Sequence, residues 1–196
     1  LLVSGGHTEL NLMEDHLIYK RLGATLDDAS GEAFDKVARM LGLPYPGGPS
    51  VQKAAEDGDP IAFKFPRAWL EGTWNFSFSG LKTAVLKEVK RLEGRPLPVA
   101  NLAASFQAAV VDVLFQKTML AAREFEVKEI IVGGGVSANK PLRAAFLGQK
   151  EFKVNIPRLS LCTDNAAMVA AAAYYRFALG HQDGLGIDVL PTWPLS

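Results

Sequence analysis

Cysteine, histidine and charge bias are what this 196-residue chain has least of. Cys162 is its one cysteine. That excludes an intrachain disulfide and fits a reducing, cytoplasmic compartment. The three histidines, His7, His16 and His181, form no i,i+4 pair. No H-E-x-x-H motif occurs, so the chain alone assembles no recognisable zinc site. A G-x-S-x-G turn is also missing, and "SFSGLK" has no base nearby in sequence, which removes the usual activated serine. Lysine plus arginine equals aspartate plus glutamate, 21 each, so no global field steers the chain onto nucleic acid or an anionic membrane. The uncharged apolar run from Ala166 to Tyr175 is far short of the ~20 residues a membrane helix takes, and no membrane partner is expected.

What is present is an ordinary globular composition, 48% hydrophobic and 21% charged, with length for one large domain and a real core. The chain opens on "LLVSGG", inside an apolar strand-like run and without Met, so the expectation is the later part of a longer protein.

Short β-type runs broken by glycine in "LLVSGGHTELNLMEDHLIYKRLG" predict two or three antiparallel strands. In "SGEAFDKVARMLGL", Phe34, Val37, Ala38 and Leu41 recur at helical spacing, and Gly42 and Pro44 stop the helix. "PYPGGPS" reads as a rigid turn and "VQKAAEDG" as a short helix. Residues 59–78 are irregular and aromatic-rich. Two amphipathic helices follow, "SGLKTAVLKEVKRLEG" and roughly 99–124. "KEIIVGGGVSANKPLRAAF" passes from strand to glycine turn to helix, "FKVNIP" is a further strand, and residues 164–179 form the last long helix. Strand meander, helices, then two βα units is an α/β plan with a mixed sheet.

Three glycine-rich turns are candidate anion holders. In "IIVGGGVSANK" a buried strand ends in Gly133, Gly134 and Gly135 and a helix follows, so backbone donors and a helix dipole converge. Ser137 and Asn139 can cap that helix or bind a ligand, and a plain βα turn stays open. The spacing Gly133, Gly135, Ala138 also satisfies G-x-G-x-x-A, but "FKVNIP" ends without the acid a dinucleotide site requires. Ser4, Gly5 and Gly6 form a hairpin whose free N–H groups suit a phosphate; His7 and Thr8 follow, and a plain loop is the alternative. "YPGGPS" alone is only a turn.

Asp35 precedes Arg39 by four residues and Glu32 precedes Lys36 by four, so both acids read as surface helix pairs. Between residues 82 and 95, Lys82, Lys87, Lys90, Arg91 and Arg95 face Glu88 and Glu93, a net of +3 that suits either RNA phosphates or a solvated face. Asp164 stands at the mouth of the Ala-rich last helix, where it favours the dipole and can also face a metal or phosphate.

Taken in order, "LLVSGGHTEL", "GEAFDKVARMLGLPYPGGP", "FSFSGLKTAV", "ASFQAAVVDVL", "GGGVSANKPLR" and "CTDNAAMVAAAAYYR" closely resemble the TsaD family of the Kae/Gcp group, across essentially the whole chain to the closing "PTWPLS". The resemblance implies an actin-like ATPase fold (sugar kinase/Hsp70/actin). Residues 1–196 would be its C-terminal part, a second lobe plus inserted helices, with the first lobe and its H-x-x-x-H absent. It implies transfer of threonylcarbamoyl from threonylcarbamoyl-AMP to N6 of the adenosine 3′ of the anticodon in tRNAs reading ANN codons, with AMP released. It places Leu2, Val3, Ser4, Gly5, Gly6, Asp35, Gly48 and Asn139 at the acyl-adenylate, or an ATP-type nucleotide, which overrides the surface reading of Asp35. It makes Asp164 one ligand of a divalent metal, iron or zinc, whose two histidines this chain lacks, so the chain alone is expected to hold metal weakly and to be inactive.

Implied partners are tRNA, a TsaB-like paralogue, a TsaE-like ATPase and a separate synthase that supplies the adenylate. The alternatives are a non-catalytic paralogue scaffolding the same complex and an ATP-dependent phosphotransferase of the superfamily. Intact "CTDN" and "GGGVSAN" argue against the first, and the lack of a candidate catalytic aspartate argues against the second. A peptidase has no complete zinc motif to work with.

Overall fold

Alternation of inward Thr8 and Leu10 with half-exposed Glu9 and Asn11 builds β2 (Thr8–Asp15) as the middle of an antiparallel meander with β1 (Leu2–Val3) and β3 (Ile18–Ala24). The computed structural model describes residues 1–188. Beyond the meander, β4 (Glu129–Ile131) and β5 (Lys153–Asn155) pair in parallel. One bridge joins the two groups: the Val3 amide donates to Gly133 O at 2.8 Å, and the Gly133 amide donates to Leu1 O at 2.9 Å. The strand order is therefore β3-β2-β1-β4-β5, mixed as the sequence predicts.

The helices are α1 (Ser30–Met40), α2 (Gly47–Ala54), α3 (Ser79–Arg91), α4 (Val99–Glu124), α5 (Lys140–Gly148) and α6 (Ala166–Ala178). Helix α4 is the core's axis. Leu102, Phe106, Val110 and Leu114 are sealed, and Phe106 meets Phe34 of α1 edge to face with centroids 5.2 Å apart. Each such side chain contributes roughly 1.5–3 kcal/mol by leaving water. By length and composition alone α4 would cross a membrane, which the sequence reading missed; here its apolar residues are the core.

Two boundaries differ from expectation. Helix α2 starts at Gly47, inside the stretch expected to be a turn, because Pro46 enters extended and Pro49 tolerates the first helical turn. Helix α6 starts at Ala166, because Asn165 rather than Asp164 supplies the cap.

The aromatic segment 59–78 is irregular but fastened. Lys117 of α4, 1% exposed, donates to the carbonyls of Leu70, Thr73 and Asn75, and its ammonium lies 5.5 Å from the Trp69 ring centroid and 5.6 Å from that of Phe76. Burial pushes its pKa down, while three carbonyl oxygens favour the charged form. Ser105 accepts from the Phe63 amide at 3.1 Å, and Arg67 pairs with Asp112 at 2.8 Å.

Candidate functional site

At the carboxyl ends of β1 and β4 four backbone turns meet: the loop 4–7, the start of α1, the turn 44–48 and the loop 132–139. Glycines make that meeting possible. A Cβ on Gly31 would lie 2.6 Å from Ser4 O, and one on Gly47 would lie 2.6 Å from Phe34 O. Gly134 takes φ +92° with the Val3 backbone against it, so no other residue fits. By contrast Gly5, Gly6, Gly48, Gly133 and Gly135 have nothing within 4 Å of where a Cβ would stand. One set of glycines packs the turns together, and the other leaves backbone open.

The loop 132–139 leaves three successive amides, those of Gly134, Gly135 and Val136, without an acceptor among the described residues. They lie in half-buried positions before the short turn Gly135–Ala138. A row of free N–H groups is an anion-binding concavity. The hairpin loop is poorer in donors than the sequence suggests. Ser4 Oγ accepts from the Gly6 amide at 3.3 Å and the His7 amide at 3.0 Å, which leaves the Gly5 amide. Leu2 and Val3 run in β1 between β2 and Gly133; Val3 is fully buried with its amide spent on Gly133 O, and Leu2 is half-buried.

Asp35 corrects the reading from spacing. It forms no ion pair with Arg39. Its Oδ1 accepts from the Gly47 amide at 2.7 Å, and its Oδ2 has no hydrogen bond among the described residues. One carboxylate oxygen thus anchors the start of α2, beside Gly48, and the other is available. The partner pair does form, Glu32 to Lys36 at 2.8 Å.

Asn139 is 9% exposed and is the cap of α5: Oδ1 accepts from the Leu142 amide at 3.1 Å. Its Nδ2 donates to Gln107 Oε1 of α4 at 2.8 Å. Lys140, the next residue, donates its amide to Gln52 Oε1 of α2 at 2.7 Å. Three helices are therefore tied at one junction by two glutamines that periodicity did not single out. The signal was present in "ASFQAAVV", where one amide interrupts an apolar stripe.

Asp27 and Asp28 were missed for the same reason. Asp27 caps α3 from a distant loop, accepting from the amides of Phe78 at 2.8 Å and Ser79 at 3.1 Å and from the Ser77 hydroxyl at 2.5 Å. Burial pushes its carboxyl up, but those donors outweigh it and hold it below its ordinary value. Asp28 pairs with Lys36 at 2.7 Å and Lys82 at 2.5 Å, bracing α1 against α3. Burial opposes ionisation there too, and the two ammoniums keep the carboxyl below its ordinary value. The basic run is reduced accordingly. Lys82 is spent on Asp28 and Arg91 on Glu88 at 2.7 Å, while Lys87, Lys90 and Arg95 remain exposed without ion pairs among the described residues.

Asp164 stands apart. It is exposed, one residue before the Asn165 cap, with no hydrogen bond among the described residues. Every residue of α6 but Tyr175 is exposed; the stacking of Tyr175 on His16, centroids 3.5 Å apart, ties that helix to the β2–β3 turn. Among the described residues no group of three or more His, Cys, Asp or Glu is placed to hold a metal ion. The closing "PTWPLS" lies outside the described residues. The broad groove of about 1000 Å³ along the sheet is mostly apolar, lined by Leu10, Leu12, Met13, Tyr19, Phe125 and Ile131, with charged residues such as Glu14, Asp15, Glu129 and Lys153 also lining it.

A family model described as TsaD: tRNA N6-adenosine threonylcarbamoyltransferase matches residues 1–171. Curated proteins of that name are similar over the whole chain. The one from Dehalococcoides mccartyi (strain CBDB1) is 53% identical over 98% of this chain and 58% of its own length. Those from Thermomicrobium roseum and Bacillus subtilis (strain 168) are 50% and 52% identical over 100% of this chain and 59% and 58% of theirs. The chain thus spans less than two thirds of the relatives it matches. Among solved structures, T. kodakarensis HypF superposes with a TM-score of 0.59 at 20% identity, covering 79% of this chain and 21% of that one, a likeness of fold.

Proposed function

The chain belongs to the TsaD family of tRNA N6-adenosine threonylcarbamoyltransferases, and on that premise we propose that it holds the acyl-adenylate while a threonylcarbamoyl group passes to tRNA. The adenosine N6 amine attacks the carbamoyl carbon, and the bond from that carbon to the phosphate oxygen breaks. AMP leaves with the electron pair, and N6 gives up a proton. Negative charge grows on the departing phosphate. The free amides of Gly134, Gly135, Val136 and Gly5 are donors fixed before the reaction, the arrangement that stabilises such charge. Asp35 Oδ2 is an acceptor for ribose hydroxyls, held in place because Oδ1 is tied to Gly47. Asn139 keeps one bonding position on each amide atom for the ligand while it fixes the start of α5.

The reading extends to a two-lobed, actin-like ATPase fold, with this chain as the second lobe, acting in the cytoplasm with tRNA, a TsaB-like paralogue and a TsaE-like ATPase. A divalent metal would act as a Lewis acid in that setting. The described residues do not fit one by themselves, because Asp164 is a single exposed carboxylate.

The observation that carries the proposal is the row of three unpartnered amides in a loop where Gly133 and Gly135 have nothing within 4 Å of a Cβ position. Its test is calorimetric titration of the full chain with AMP, alongside mass spectrometry of tRNA nucleosides after incubation with threonylcarbamoyl-AMP and the partner proteins. Binding of AMP that Asp35→Ala weakens is expected of this chain, and modified adenosine is expected from the full-length protein. A chain that binds no AMP at millimolar concentration overturns the reading.

A further inference from the structure

The junction of α4 and α5 contains a donor with a fixed direction and no acceptor. The Leu142 N–H can only donate, so the Asn139 atom it meets is the oxygen, Oδ1. The other Asn139 atom is then the NH₂ group, and it meets Gln107 at 2.8 Å. The Gln107 atom at that contact must accept, so it is Oε1, and Nε2 necessarily points away. Thus the amide orientation of Gln107 follows from a helix cap two side chains distant, without reference to its own surroundings.

Nε2 of Gln107 forms no hydrogen bond among the described residues; the residue is 6% exposed, and this amide nitrogen is not sealed from solvent. The buried orphan at this junction lies two residues before Asn139: the hydroxyl of Ser137, fully buried, has no partner among the described residues. Neighbours of Gln107 on α4 are apolar and sealed, namely Ala103, Ala104, Phe106 and Val110. A neutral donor in an apolar wall suits an uncharged acceptor better than a phosphate, which the free amides of the loop 132–139 already serve.

We propose that Gln107 Nε2 donates to a ring nitrogen of the adenine base, and that the Leu142–Asn139–Gln107 relay makes this position a donor. Gln107 is then a binding residue that selects a base presenting an acceptor. The inference rests on the adenylate reading above and deepens it.

Gln107→Glu separates this role from a structural one. The carboxylate still accepts from Asn139 Nδ2 but has no proton to donate at pH 8 when ionised. In the full chain, AMP affinity by calorimetry should fall at least ~10-fold, while affinity for ribose 5-phosphate, which lacks the base, stays within about twofold of wild type. Equal AMP affinity in wild type and variant overturns the proposal, as does an equal loss for both ligands. Wild-type protein that binds neither ligand overturns the adenylate reading together with this one, which distinguishes the two failures. Should Gln107→Glu not fold, the side-chain amide signals of Gln107 in a ¹⁵N spectrum, assigned by their loss in Gln107→Met, provide the test. They should shift on AMP saturation and stay put with ribose 5-phosphate, and signals unmoved by AMP sink the idea.

Discussion

Helices α5 and α6 each begin at an asparagine whose Oδ1 accepts from the amide three residues on, Leu142 at 3.1 Å and Met168 at 3.0 Å. The caps are the same chemistry at the same spacing. Asn139 is 9% exposed and its Nδ2 reaches Gln107 on another helix, whereas the Nδ2 of Asn165 bonds only to the nearby carbonyls of Thr163 and Leu161. Helix α5 buries Leu142 and Phe146, while α6 buries nothing among its described residues and shows Met168, Val169, Tyr174 and Phe177 to solvent. A local motif therefore defines where a helix starts. Whether that start becomes part of a site depends on which distant groups pack against it.

The sharpest way to break this contrast is to remove both caps. Asn139→Ala should cost about 2–4 kcal/mol in urea unfolding, from a lost cap of ~1 kcal/mol plus a buried Gln107 oxygen left without its donor. Asn165→Ala should cost about 1 kcal/mol or less, since its neighbours are wet. Similar losses for the two variants would mean that Asn139 is only a cap.

Acid should act on the brace between α1 and α3. Asp28 is held below its ordinary value, so the stability it contributes is present above the unfolded carboxylate range and disappears as pH falls through its lower folded value. Asp28→Asn should therefore destabilise by about 1–2 kcal/mol at pH 7. The gap between variant and wild type should narrow as pH falls below the ordinary carboxylate value and on through the lower folded one of Asp28. A gap that stays constant over that range would show that the two lysine pairs contribute nothing.

The smallest effects belong to α6. Phe177→Ala and Asp164→Ala should each move the unfolding free energy by less than about 0.5 kcal/mol, because neither side chain is packed or paired among the described residues. A loss of 2 kcal/mol or more from Phe177→Ala would show that α6 is buried in solution. Asp164→Ala carries a second readout: if Asp164 is a metal ligand, metal content by elemental analysis of the full-length protein falls without a change in stability.

Much of the fold was legible because its causes are local. The limits of α4 follow from Pro98 and the end of an apolar stripe, and the glycine run after β4 announces a turn that needs positive φ at Gly134. The resemblance supplied Asp35, which spacing alone misassigned. An i,i+4 acid–base pair looks the same in sequence whether or not the acid finds a better donor, and here the Gly47 amide is 2.7 Å away. Gln107 and Asp27 escaped notice because their partners are 32 and about 50 positions distant, where periodicity has no reach.

The sequence by itself determined most of the elements, the glycine turn after β4 and the family. It did so because backbone dihedrals, hydrogen bonding within a turn and side-chain periodicity act over a few residues. Only the tertiary structure decided that β1 joins β4, that Asp35 turns toward Gly47 and that Asn139 meets Gln107. Those outcomes depend on which unpaired donors and acceptors burial forces together, and that is settled when the whole chain packs.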